Sequence, residues 1–382
     1  MKRVGLLALG ILLCVCAQIA RADWTPAKRL TWTPGASHSA AIALDSTGQL
    51  HLVWGDETPG NYEVYYKRST NGGSTWTAAR RLTWNSGDSL GLAIAVDLSD
   101  RIHVVWEDGT PVDYEVYYKS STDGGDTWSA TRRLTWMSGQ SRGVKTAVDS
   151  AGNLHVVWCD DTPGDYEIYH KKSTDGGINW TSAKRLTWIT GFSAWPDIAA
   201  SPVGDLHVVW SDDQSGSKEI YYKKSSNIGA TWSARKRLTW TCAGLERQDL
   251  VADPSSSLHL IWLADSSGNS DLYYKRSKDG GESWTAAERL TWTSGSGACP
   301  AITADPSGPL SVVWSDNTPG NWEVYYKKSA DGGLTWTSST RLTWGSGYSY
   351  SPALVVDSSG LVHLVWEDGE SSESEIYYRK GN

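Results

Sequence analysis

Two acidic positions recur along this chain at a fixed distance from a tryptophan. The pattern Trp-x-Asp places Asp56, Asp108, Asp160, Asp212, Asp316 and Asp368, with Ala264 at the fifth of the seven positions. Seven residues beyond each stand Glu63, Glu115, Glu167, Glu219, Asp271, Glu323 and Glu375. Such acid pairs have two uses. Bonded to loop N–H groups, the aspartate caps a turn. Facing solvent, the pairs would make a ring of sites for sugar hydroxyls or for a hard cation, with calcium the natural candidate. A residue needed once for catalysis is rarely installed six times, so repetition favours the capping use. If the pairs do bind, multivalent attachment suits them better than catalysis, since avidity grows with identical weak sites. A histidine recurs too, as His51, His103, His155, His207, His259 and His363, with Ser311 in the sixth unit. Each lies mid-strand, which points to a satisfied core histidine. No His-x-x-His or Cys-x-x-Cys spacing suggests zinc, and no cofactor is expected.

An asymmetric site must be built from residues that break the repeat. They gather at the entrance to the first strand of each unit: His38 and Ser39, Leu90, Arg142 and Lys145, Trp195 and Asp197, Glu246 to Asp249, Cys299, Tyr348 and Tyr350. Arg142 and Arg247 have the chemistry to grip a carboxylate, and Glu246 could activate Tyr348 or Tyr350. Trp195 and Trp322 are candidates for stacking on a sugar face, or for local packing.

The elements that would position these residues are written in the composition. There are 23 Trp, 18 Tyr and 38 Gly beside one Phe and two Met, a bias that points to an internal repeat. Arg-Leu-Thr-Trp ends at Trp32, Trp84, Trp136, Trp188, Trp240, Trp292 and Trp344, always 52 residues apart. Two further series, one starting at Trp54 and one at Trp24, keep the same interval. Each unit carries four short β signals. In residues 85–136 these are Leu92 to Asp97, Ile102 to Trp106, Glu115 to Lys119, and Thr127 through Thr135, separated by Gly, Pro, Asp and Ser. Four strands per unit predict a blade, and seven units predict an all-β, seven-bladed β-propeller. The chain stops after a third strand, and Asp23-Trp24-Thr25 supplies the missing fourth, so the N-terminal strand is expected to complete the last blade and close the ring.

The turn between third and fourth strands reads Ser121-Thr122-Asp123-Gly124-Gly125-Asp126-Thr127-Trp128, and the chain carries six intact copies plus one split between its two ends. Here the chain, over residues 23–382, resembles the Asp-box (BNR) repeat family, whose propellers include sialidases. Asn71 and Asn227 replace the Asp, and Ile228 takes a Gly place; an Asx acceptor remains, so those turns are expected to survive. The resemblance implies that the boxes are structural and that ligands meet the opposite face. It also implies an arginine triad, a Tyr–Glu nucleophile pair and an aspartic acid in any sialidase site. This chain departs by offering two candidate arginines, Arg142 and Arg247, no Arg-Ile-Pro motif, and seven blades where six are usual.

Residues 1–22 stand apart. A basic start, an apolar run from Val4 to Ala17 and Ala20-Arg21-Ala22 read as a cleaved secretory signal, so the product is expected to be secreted or periplasmic. Three of the 35 basic residues leave with it, moving the net charge from -8 to -11 and giving no support to nucleic acid or an anionic membrane as partner. Of five cysteines, Cys159, Cys242 and Cys299 remain, with Cys242 and Cys299 the candidate pair. The expected protein is a monomeric glycan- or ligand-binding propeller without a complete catalytic set. A sialidase-type exo-glycosidase and a protein-binding scaffold are the alternatives.

Overall fold

The computed structural model describes residues 24–110, 113–240, 247–265, 268–369 and 373–382. Within them every regular element is a strand, and the strands form seven four-stranded antiparallel sheets. Blade three is representative: Ser141–Val148 lies innermost, then Leu154–Asp160, Glu167–Ser173 and the outermost Lys184–Arg185. Second strands such as Leu154–Asp160 are buried at every residue. Packed between neighbouring blades on both faces, they read as apolar runs rather than alternating ones. The ring closes as expected. Lys28–Arg29 pairs with Tyr377 and Tyr378 of the last blade, and Thr25 N donates to Lys380 O at 2.8 Å.

Two strands differ from expectation. Innermost strands begin earlier, as in Ser89–Val96. The outermost strand is a two-residue ladder, Arg132–Arg133 in blade two, rather than a run from Thr127. Before it the chain is tied back at Ser129, whose N donates to Ser120 O at 2.8 Å and whose Oγ accepts from Ser120 N at 3.0 Å.

The three tryptophan series have three different fates. Trp54 and its equivalents are fully buried and stack on the first tyrosine of the third strand, as Trp158 does on Tyr169 at 5.8 Å between centroids. The Trp24 series packs edge-on against the preceding blade; Trp128 meets Tyr66 at 5.1 Å. The Arg-Leu-Thr-Trp series stands in solvent.

Blades are also stitched by polar chains. His103 Nδ1 bonds Tyr118 Oη at 2.8 Å, and that hydroxyl donates to Gly176 O of the next blade's turn at 3.3 Å. Within the turn, Asp123 accepts from Thr127 N at 2.8 Å, and bonds from the Thr127 hydroxyl and N–H hold its pKa down at about 2. Asn71 and Asn227 make the equivalent bond to Thr75 N and Thr231 N at 2.8 Å, so both substituted turns survive. Ile228 achieves this at a φ of 57°, an unusual conformation for a β-branched residue.

Candidate functional site

The acid pairs of the second-to-third loops are turned inward. Asp56, Asp108, Asp160, Asp212 and Asp316, with Glu63, Glu115, Glu167, Glu219, Glu323 and Glu375, are all buried; Asp368 is half-buried. Asp56 accepts from Ser37 Oγ and Thr58 N, both at 3.0 Å. Glu63 takes the Arg81 guanidinium at 2.9 Å and Asn85 N at 3.0 Å. Arg81 belongs to Arg-Leu-Thr-Trp, and all seven of these arginines pair in this way with the acid of their own blade. This corrects the idea of a solvent-facing ring, because a carboxylate enclosed by its own blade is closed to a sugar hydroxyl. Among the described residues no group of three or more His, Cys, Asp or Glu is placed to hold a metal ion such as calcium.

The repeat-breaking residues do come together, through a device the sequence pattern did not reveal. Six innermost strands carry a bulge near their entrance, with register shifts at His38/Ala41, Leu90/Ala93, Arg142/Lys145, Ala194/Asp197, Ala298/Ala301 and Tyr350/Ala353. The bulged residue is left-handed in each: Ser39 (56°), Gly91 (58°), Gly143 (63°), Trp195 (52°), Cys299 (47°) and Ser351 (48°). Glycine adopts this freely, whereas the other types cost on the order of 1 kcal/mol each. A bulge re-aims the side chains around it, here toward the central channel. In blade five the equivalent position is Arg247, and pairing runs from Gln248 without a shift.

The channel encloses about 470 Å³, and Lys145, Trp195, Arg247, Asp249 and Cys299 are among its lining. Asp197 accepts from Leu250 N and Asp249 from Ile302 N, both at 2.7 Å, so each carboxylate braces the next blade. Desolvation by the channel walls works against the Lys145 charge, although the residue stays exposed to the channel, and Asp197 and Asp249 outweigh it and hold its pKa above the ordinary lysine value. Enclosure and the Asp197 charge push the Asp249 carboxyl well above its usual range. Lys145 and Arg247, both on the channel wall, are the cations beside these carboxylates.

A second cavity, of about 290 Å³, opens at the mouth between blades six, seven and one, lined by His38, Trp322, Tyr348, Tyr350, Glu367, Gly369 and Ser374. Trp322 and Tyr350 meet edge-on at 5.2 Å. Tyr350 lies opposite Glu367 in the strand register. Glu367 accepts from Ser39 N at 2.7 Å and bonds His38 Nδ1 at 2.8 Å. The two candidate arginines sit elsewhere. Arg142 lies 3.4 Å above the Tyr114 ring and 3.5 Å from Glu107, and Arg247 stands 5.4 Å from the Trp195 ring in the channel. Glu246 and Cys242 lie outside the described residues. Cys159 is a buried thiol, pushed up to about 12 by burial. Sequence reasoning missed Glu107 and Glu367, although a signal existed. They fill the variable place in Trp-x-Asp, where Gly55, Cys159, Ser211, Leu263 and Ser315 carry no carboxylate.

No protein-family model matches the chain. A sialidase of Bacteroides fragilis (strain YCH46) is 22% identical over 303 residues, which cover 66% of this chain and 55% of that protein. The chain thus spans about half the length of that curated relative. Among solved structures, polysaccharide lyase Uly1 gives a TM-score of 0.61 at 11% identity, over 90% of each chain. In fold, this is a sialidase-like propeller. The Hadza microbial sialidase Hz136 gives 0.56 at 15% identity, over 88% of this chain and 73% of that one. A scaffold shared by sialidases and a lyase leaves the chemistry to be argued from the sialidase-like propeller's own site.

Proposed function

We propose that this protein is an exported carbohydrate-binding propeller whose sugar site is the mouth cavity of His38, Trp322, Tyr348, Tyr350 and Glu367. One observation carries this reading: three aromatic rings enclose one cavity with only a few polar groups among them. Sugars present apolar C–H faces for stacking and hydroxyls for orientation, and an aromatic wall with His38 and Glu367 at its edge suits both. Arg142 and Arg247 are engaged by Tyr114, Glu107 and Trp195, and neither lines this cavity, which favours binding over sialic-acid hydrolysis. The Tyr350–Glu367 register pair supports a second reading, a retaining exo-glycosidase with an activated tyrosine.

A glycan array probed with the mature chain and calcium, then re-probed for the printed sialosides, separates these readings. Retention that falls about tenfold or more in Trp322→Ala is expected for the binding protein. Loss of sialosides from the array would establish the hydrolase. Silence on every glycan would refute both and leave a protein-binding scaffold.

A further inference from the structure

Seven tryptophans of this protein have no packing reason to be tryptophan. Trp32, Trp84, Trp136, Trp188, Trp240, Trp292 and Trp344 are each 61–72% exposed, whereas the Trp54 series at the blade centres is buried. Simple copying of blades does not account for them, because the next residue drifts through Thr33, Asn85, Met137, Ile189 and Gly345 while the indole stays. Each exposed ring has at least one cation against it. Its own arginine lies 5.6–6.0 Å from the centroid. At five boundaries a lysine from the next blade adds a second brace at 5.3–5.8 Å. That lysine donates to the leucine carbonyl two residues before the Trp, as Lys119 does to Leu82 O at 2.7 Å.

At Trp188 the boundary deepens into a cleft of about 240 Å³, walled by Ile189, Gln214, Lys223 and Arg235. Gln214 and Arg235 are particular to this blade; Thr162 and Ala183 hold their places in the one before. A solvent-facing indole flanked by cations and hydrogen-bonding groups is suited to take the apolar face of a pyranose ring. The rings stand one per blade, so they do not merge into the continuous apolar patch that a protein partner would cover.

We infer that the seven Arg-Leu-Thr-Trp tryptophans are a peripheral ring of sugar-stacking sites, deepest at Trp188, through which one polysaccharide chain or a clustered glycan is held by several weak contacts at once. These sites are separate from the mouth cavity and do not depend on it.

Native affinity electrophoresis in gels containing xylan, laminarin, pectin or chondroitin sulfate tests this. The parent is expected to be retarded by at least one polymer. A Trp84→Ala/Trp136→Ala/Trp188→Ala variant should lose at least tenfold in apparent affinity for it. Trp322→Ala, which acts at the mouth, should lose less than this triple variant. Thermal melts of the triple variant should match the parent, as its side chains bury little. If they do not, the Trp→Tyr triple, which keeps a ring at each site, should recover both the melt and the retardation. Equal retardation of parent and Trp→Ala triple, or no retardation of the parent in any gel, would overturn the inference. So would a concentration-dependent dimer in size-exclusion chromatography that the triple variant abolishes, since the ring would then join two copies.

Discussion

Acid should weaken this propeller in part through one buried histidine that lacks its aspartate. In five blades the strand histidine bonds an aspartate through Nε2 at 3.1–3.3 Å, and on its other side a tyrosine in four of them and His170 in blade three. Blade four lacks that aspartate, because Ser201 stands in its place. His207 keeps its Nδ1 bond to Tyr222 Oη at 2.8 Å, but its buried Nε2 has no partner. Burial, helped by the nearby Lys224 charge, lowers its pKa to about 4. The unfolded chain protonates this group near the usual 6.5, so the stability it contributes is complete above that pH. It is lost as pH falls from about 6.5 toward 4, because only the unfolded state gains the proton. At about 1.4 kcal/mol per pKa unit the loss is roughly 3 kcal/mol. His207→Ser copies blade six, where Ser311 bonds Tyr326 Oη at 3.1 Å. Urea denaturation at pH steps from 7.5 to 4 should show the parent losing roughly 3 kcal/mol more than this variant across the window. Ser201→Asp, which restores the missing acceptor, should flatten the parent's curve while keeping the histidine. Parallel loss of stability in parent and His207→Ser would refute the argument.

Two further outcomes follow from the blade contacts. Gly125 has a φ of 92°, and a Cβ there would lie 2.3 Å from Tyr66 Oη; Gly125→Ala should therefore cost several kcal/mol by strain and collision, read as a fall in Tm, whereas Ala at the open Gly48 should cost far less. Glu219 is buried against Arg237 at 2.8 Å, so Glu219→Ala should destabilise by about 3 kcal/mol in urea titrations. A loss below about 1 kcal/mol would show that solvent reaches the guanidinium well enough to replace the carboxylate.

The architecture was legible because a 52-residue interval is a one-dimensional signal. Four β-patterned segments per interval leave few folds to choose from, and the split last blade announces how the ring closes. Asn71 and Asn227 were legible as turn residues for a local reason: an Asx acceptor four residues before the N–H it serves needs nothing from the rest of the chain. The candidate site was read less well. Tyr348 and Tyr350 were legible as repeat breakers near the mouth, whereas only the folded ring brings Trp322 into their cavity. For the acid pairs two uses stood open, capping and an accessible ring, because sequence cannot show that Glu63 faces Arg81 inside its own blade. Arg142 and Arg247 carried the chemistry of a carboxylate clamp, but Tyr114, Glu107 and Trp195 claim them.

The sequence by itself determined the repeat, the strand count per blade, the number of blades and the closure, all of which rest on residue type and spacing along the chain. Tertiary structure alone decided which of three equally regular tryptophan series would be buried, wedged between blades or left in solvent. It also turned the acid pairs inward and placed the bulges that aim Trp195 and Cys299 at the channel. Exposure depends on what the neighbouring blade puts against a side chain, and that contact joins residues tens of positions apart that only the closed ring brings together.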